Sequence, residues 1–192
     1  MKKLREIIDK NSSGKKVLFF FILTNVIYAI MLVLTIPKTM EFSKDMKLLD
    51  MMPTGYNSQY IQTLFNTLGE AGRNTYLFNQ IPVDMVYPFL FAICYCLIIA
   101  YFLKKLNKLN SPFFYLCLLP VVAATADYLE NFGIIAMLNS YPKLPQLLMS
   151  ATSIFSIVKS ITTTLFFGSL ILILIMLAIQ TVKRRIADNN RG

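Results

Sequence analysis

The stretch Ala123-Ala-Thr-Ala-Asp-Tyr-Leu-Glu-Asn-Phe-Gly133 places three polar side chains inside a segment that is otherwise apolar enough to cross a membrane. Asp127, Glu130 and Asn131 stand at positions i, i+3 and i+4, so a helix presents all three on one face. Polar and ionisable groups within a membrane-spanning helix are costly, and they mark functional sites or contacts between helices. The fold of the whole chain has to accommodate this polar patch.

The composition indicates an integral membrane protein. Of the 192 residues, 56% are hydrophobic and 15% are charged, and the mean hydropathy is +0.57. An ordinary soluble domain carries about 25% charged residues. The net charge of +9 comes from Lys and Arg residues clustered at the ends of the apolar runs, which favours membrane topology signals over nucleic-acid binding.

The absence of histidine argues against most metal and cofactor chemistry. Histidine is the commonest metal ligand and general base, so we expect neither haem, catalytic zinc nor another metal or cofactor. Cys94, Cys96 and Cys117 lie within apolar runs and are predicted to be buried thiols, not a disulfide framework. The chain has no nucleotide-binding loop and no Ser or Cys triad, so no catalytic residue is assigned.

Four apolar runs predict four membrane-spanning helices. A helix rises about 1.5 Å per residue, so about 20 apolar residues cross a hydrocarbon core about 30 Å thick. Runs of this length cover residues 17–36, 82–103, 113–138 and 152–182, and Pro37 is predicted to end the first. The prediction is an all-α integral membrane protein whose single domain is a four-helix bundle. A secretory signal peptide is the alternative for the first run, although no small-residue cleavage site follows it.

The distribution of basic residues predicts the topology. Six Lys and Arg residues lie in the arm 1–16, three in the 104–108 loop and four in the tail 183–192. Cytoplasmic segments carry such an excess, so both termini are predicted to be cytoplasmic and the 37–81 loop to lie outside. In a prokaryotic cell this corresponds to the inner (plasma) membrane.

The outer loop is predicted to contain a short amphipathic helix. Apolar side chains repeat there at helical spacing, at Ile61, Leu64, Phe65 and Leu68. The helix is predicted to begin with a Ser58 cap and to end near Gly69 or Gly72.

Charged residues of two spans fall at a common depth. Asp127 lies about 21 Å along the third helix from Phe113, roughly 9 Å inside the outer edge of the hydrocarbon core. Lys159, counted inward from Thr152, lies about 10 Å deep. A charge at a helix centre costs roughly 2.5 to 3.5 kcal/mol, so Lys159 is predicted to face Asp127 or Glu130.

Further polar residues approach the same level. Asp84 lies just inside the outer end of the second span, and Glu70 and Arg73 precede it in the outer loop. The ligand-binding candidates, predicted to line one outward-opening cavity, are Glu70, Arg73, Asp84, Asp127, Glu130, Asn131 and Lys159. Its floor is predicted to consist of Asn25, Tyr28 and Tyr95.

Each candidate also has a structural alternative. Lys159 could extend to the headgroup level if the hydrocarbon segment of the fourth span begins after it. Glu130 and Asn131 could cap the outer end of the third span in water. Asp127 could serve an interhelical hydrogen bond, and Asp84 could cap a helix and pair with its dipole.

Three classes of function fit this pattern. The first is a non-catalytic protein that binds a small molecule or lipid, or acts as a membrane sensor or subunit. Its partners would be membrane lipids, a cytoplasmic protein at the basic arm and tail, or a second copy through small residues such as Gly168 and Ser169. The second is an enzyme whose paired carboxylates move protons on a lipid-like substrate. The third is an oligomeric ion or proton pathway.

Overall fold

The computed structural model describes residues 2–189, and over this range the chain is all-helical without a β-strand. Four helical segments are long and apolar enough to cross a membrane, which confirms the predicted all-α chain with four such helices. These segments are Gly14–Met40, Ser58–Lys105, Pro112–Ser140 and Gln146–Ala187.

The N-terminal arm forms helix α1 (Lys2–Asn11), which packs against the end of the bundle remote from the long loop. Its Ile8 side chain is buried in the core, whereas Leu4 and Ile7 are exposed. The guanidinium of Arg5 lies 4.7 Å from the centroid of the Phe114 ring, a cation–π contact. The arm is therefore a packed element of the fold.

The first span consists of α2 (Gly14–Ile30), a π-helical turn (Met31–Thr35) and α3 (Ile36–Met40). The prediction that Pro37 ends this span is wrong, because the helix continues to Met40. Pro37 lies in the first turn of α3, directly after the π turn, where a missing N–H is tolerated. The wider hydrogen-bond spacing of the π turn thus allows the helix to continue past Pro37.

The second long helical segment joins the amphipathic helix of the outer loop to the second predicted span without an intervening loop. Helix α4 (Ser58–Thr75) leads through a π turn (Tyr76–Gln80) and α5 (Ile81–Asp84) into α6 (Tyr87–Lys105). The N-terminal cap of α4 is Asn57 and not Ser58, since the Asn57 side chain accepts a hydrogen bond of 2.8 Å from the Tyr60 amide.

Gly69 divides α4 into two helices, as its sequence position predicts. Its backbone angles are φ 61° and ψ −173°, a conformation essentially restricted to glycine. Helix resumes directly after the break, so the chain bends here without forming a loop. The Arg73 side chain reaches back across the bend and donates a 2.8 Å hydrogen bond to the Phe65 carbonyl, which satisfies an end group of the first half.

The third and fourth spans form an antiparallel pair. A 3₁₀ segment (Pro112–Leu118) leads into α7 (Leu119–Ser140), and α8 (Gln146–Asn189) follows after a short turn. Helix α8 has 44 residues, about 66 Å of helix, and starts before the predicted residue 152. No proline interrupts it, so nothing in the sequence ends the helix at the predicted boundaries.

The packing order of the spans leaves one gap between helices. Helix α7 packs against α6 and α8, and α2 packs against α6, but α2 and α8 are not extensively packed against each other. One apolar cluster surrounds Phe91 and Phe166 in the bundle, and a second surrounds Phe65 and Ile134 under the outer loop. The polar side chains of the spans lie between these two clusters.

Helices α7 and α8 approach closely at Gly133, where an added Cβ atom would overlap the Thr152 side chain. We predict that Gly133→Ala destabilises the protein by about 1–3 kcal/mol, the usual cost of an overpacked contact. Thermal unfolding of the purified protein in mild detergent measures this effect. The matched control is Gly168→Ala, because no atom lies within 4 Å of the Cβ position there. Equal melting temperatures for the two variants would contradict the close approach.

Candidate functional site

Lys159 lies at the centre of a layer of polar side chains between the two apolar clusters. This polar layer also contains Asp50, Asp84, Asp127, Glu130 and Asn131. Its Nζ lies 3.1 Å from Asp127 Oδ1 and 2.5 Å from Glu130 Oε2. The Lys159 side chain is 18% exposed, and the Asp127 and Glu130 side chains are 11% and 0% exposed. The prediction that Lys159 faces Asp127 or Glu130 is confirmed, and Lys159 bridges both. It does not extend away to the outer surface.

The i, i+3, i+4 spacing places the three polar residues of α7 toward its neighbours. Glu130 and Asn131 are fully buried, so the alternative that they cap the helix in water is wrong. The Tyr56 hydroxyl donates to Glu130 Oε1 at 3.4 Å, and Asn131 Nδ2 donates to the Asp84 carbonyl at 3.4 Å. Glu130 and Asn131 thus join α7 to the outer loop and to α5.

The outer loop supplies a site residue that the sequence analysis missed. The backbone carbonyl of Asp50 accepts a hydrogen bond from Lys159 Nζ at 3.3 Å. Its carboxylate accepts from the Tyr76 hydroxyl and, at 2.9 Å, from Gln80 Nε2. Leu48 and Leu49 are fully buried beside it. These two apolar residues preceding Asp50 are the signal that this part of the loop folds back into the protein.

Further hydrogen bonds fix the loop over the polar layer. The Ser156 hydroxyl donates to the Met52 carbonyl at 2.9 Å, and the Tyr56 amide donates to Ser153 Oγ at 2.9 Å. Burial, followed by the negative charge of Glu130, raises the pKa of Tyr56, so its hydroxyl stays protonated as a donor. The loop is therefore a fixed cover above Lys159.

Asp84 differs from the other acids of the layer. It is 4% exposed, and its Oδ2 has no hydrogen-bond partner among the described residues. The predicted alternative of a helix cap does not hold, because α6 has Val86 at its cap position without a side-chain cap bond. The chain bends at residues 85–86, and Asp84 lines a cavity instead.

This cavity has a volume of about 510 Å³. Its charged end is formed by Asp50, Asp84, Asp127 and Lys159. Its apolar and aromatic walls include Tyr28, Met31 and Leu32 of the first span and Tyr87 and Phe91 of α6. Hydroxyl groups of α8 line the remaining side, at Ser160, Thr163 and Thr164.

The cavity is bounded by α2 on one side and α8 on the other, the two spans that are not extensively packed together. At its edge, Tyr28 of α2 and Leu32 of the following π turn are 42% and 48% exposed. The gap therefore points sideways, toward the surface that lipid tails would cover.

Several predicted site residues lie elsewhere. Glu70 is exposed on α4. The guanidinium of Arg73 lies 4.2 Å from the centroid of the Tyr141 ring. The bend at Gly69 places both residues beside the outer apolar cluster, away from the cavity. Glu130 and Asn131 belong to the polar layer but are not among the residues that line the cavity.

The predicted cavity floor is correct only for Tyr28. Asn25 is exposed on α2 and donates to the Phe21 carbonyl of its own helix. Tyr95 packs 5.0 Å from Phe166, between ring centroids, in the apolar cluster deeper in the bundle. Helical spacing gave the depth of both residues but not the direction in which they point.

The described residues contain no group of three or more His, Cys, Asp or Glu side chains that could hold a metal ion. Cys94, Cys96 and Cys117 are buried free thiols. The polar groups that face the cavity are carboxylates, hydroxyls and one ammonium group, which suit the binding of a polar head group.

No protein-family model, curated protein or solved structure matches this chain.

We predict that Lys159→Met destabilises the protein by about 3–5 kcal/mol, because it leaves the buried Asp127 and Glu130 without a counter-charge. The matched control is Lys104→Met, which removes an exposed pair with Asp9, 56% and 47% exposed, and should cost about 0–1 kcal/mol. Thermal unfolding in the same detergent compares the two. Adding Glu130→Gln to Lys159→Met should restore part of the loss. Equal effects of the two lysine substitutions would contradict the buried bridge.

Proposed function

We propose that the protein binds a membrane-dissolved small molecule or lipid in the cavity between α2 and α8, without catalysing a reaction. The observation that carries the proposal is a 510 Å³ cavity with a charged end at Asp84 and Asp127 and an apolar wall. Ligand sites of about 300–1,000 Å³ typically combine apolar walls with a few placed polar groups. A ligand with a polar head and an apolar body matches both ends.

The direction of the opening supports entry from the bilayer. Above the cavity, the outer loop is tied to α8 through Ser156 and Lys159. At the side, the gap between α2 and α8 is bordered by exposed apolar groups such as Leu32. A ligand dissolved among the lipids reaches the cavity without displacing the loop.

The continuous helix α8 suits a sensor role. It carries Lys159 in the polar layer and Lys183, Arg184 and Arg185 near its other end, without an intervening break. A ligand that changes the position of Lys159 would act on the same rigid element that ends in these basic residues. With both termini in the cytoplasm, they would meet anionic lipids or a cytoplasmic protein.

A proton-transfer enzyme acting on a lipid-like substrate is the second candidate. The observation that favours it is that Asp84 and Asp127 line the same cavity. Lys159 pairs with both Asp127 and Glu130, so of Asp84 and Asp127 only the former is without an ion pair among the described residues. A single free carboxyl group supports binding more directly than it supports paired acid and base catalysis.

Occupation of the cavity can be measured with photoreactive alkyl probes in nanodiscs. We expect a diazirine alkyl chain to label peptides of α2, α6 or α8 that line the cavity. Thr164→Trp, which places a bulky ring at an exposed lining position, should reduce this labelling about tenfold, equivalent to roughly 1.4 kcal/mol of binding energy. Thr181→Trp, exposed on the same helix and outside the cavity, is the control. The proposal would be refuted if Thr164→Trp left the labelling of these peptides unchanged, whichever polar head group the probe carries.

The proposed topology can be tested with single added cysteines, since the three native thiols are buried. We expect a membrane-impermeant maleimide to label Glu70→Cys in intact cells, because residue 70 is exposed on the outer segment. Lys108→Cys, exposed at the opposite end of the bundle, should be labelled only after permeabilisation. The reverse pattern would place the termini outside.

A further inference from the structure

We infer that the ligand of this cavity is a cationic amphiphile, a protonated amine attached to an apolar chain. This inference rests on the proposed function and names the chemical class of ligand. It is carried by the balance of charges in the polar layer and by the position of Asp84 in the cavity.

The polar layer contains more acidic groups than basic ones. Four carboxyl groups meet there, from Asp50, Asp84, Asp127 and Glu130. Lys159 is the only Lys or Arg among the described residues that line the cavity. A charge withdrawn from water needs a counter-charge or a set of hydrogen bonds. One ammonium group cannot supply this for four carboxylates.

Three of the four acids have partners within the protein. Lys159 bridges Asp127 and Glu130, and the Tyr56 hydroxyl adds a hydrogen bond to Glu130. The carboxylate of Asp50 accepts hydrogen bonds from the Tyr76 hydroxyl and Gln80 Nε2. Asp84, the fourth acid, makes no ion pair among the described residues.

Asp84 is placed to receive a donor from the cavity. It is 96% buried, its Oδ2 has no partner among the described residues, and it lines the cavity wall. A ligand ammonium group provides both missing elements, a positive charge and N–H donors. Hydrogen bonds to a carboxylate from a charged donor are roughly twice as strong as those between neutral groups.

The aromatic wall next to Asp84 favours the same ligand. The Tyr28 and Tyr87 rings stack with centroids 5.4 Å apart, and Phe91 continues this wall. Aromatic faces attract cations through their quadrupole. A carboxylate or phosphate head group would instead meet Asp84 and Asp127 with like charge. An apolar chain attached to the amine fits the side opening between α2 and α8.

The experiment compares three probes with the same 12-carbon diazirine chain and different head groups: a primary ammonium, a hydroxyl and a carboxylate. Each is titrated against the full-length protein in nanodiscs, as a mole fraction of the lipid. We expect the ammonium probe to label the cavity at about tenfold lower concentration than the hydroxyl probe, with the carboxylate probe weakest.

Asp84→Asn removes the charge and keeps the shape. It should weaken labelling by the ammonium probe about tenfold, to the level of the hydroxyl probe, and leave the hydroxyl probe unchanged. The matched control is Asp45→Asn, an exposed position at φ 68°, a conformation that asparagine tolerates. It should change neither probe. If Asp84→Asn does not fold, the head-group series on the native protein still decides.

The outcomes separate this inference from the proposed function. Equal labelling by the ammonium and hydroxyl probes, blocked by Thr164→Trp, would leave the binding function intact. It would overturn the cationic ligand and show that a proton or water satisfies Asp84. Preference for the carboxylate probe would overturn the inference as well. If none of the three probes gives labelling that Thr164→Trp blocks, the proposed function itself is refuted.

Discussion

The bridge from Lys159 to Asp127 and Glu130 is the interaction on which the rest of the structure depends. Three charged groups lie between two apolar clusters, so each must be compensated by the others. Removing one member of such a buried set costs far more than the set contributes when intact. The bridge fixes α7 against α8, and the small Gly133 allows the close approach that brings the charged groups together.

The outer loop completes this arrangement from above. Lys159 has a third partner in the Asp50 carbonyl, and Glu130 has one in the Tyr56 hydroxyl. The buried side chains of Leu48 and Leu49 hold this part of the loop in place. The same loop therefore covers the polar layer and closes one end of the cavity, which leaves the gap between α2 and α8 as its opening. Stability and access to the site depend on the same contacts.

The cavity is acidic at one end because the polar layer contains more carboxyl groups than basic groups. A bundle stabilised only by internal pairing would match its buried acids with equal positive charge, yet Asp84 lines the cavity without an ion pair among the described residues. The bend at residues 85–86 and the π turn of the first span set α5 and α2 at the cavity wall. Irregular backbone at membrane depth is tolerated where it lines a cavity. The local departures from regular helix thus occur where the site lies.

The sequence by itself determined the number of long apolar helices and the common level at which Asp127 and Lys159 meet, because helical rise converts residue number into distance along a helix. It also identified the shared face of Asp127, Glu130 and Asn131. Tertiary structure alone decided which neighbour each face meets, so Asn25 and Tyr95 were wrongly assigned to the cavity. Local sequence patterns also did not predict the path of the outer loop. This path brings Asp50 into the site and leaves Glu70 and Arg73 outside it. Periodicity fixes position along and around one helix, whereas the contacts between helices and loops depend on packing across the whole chain.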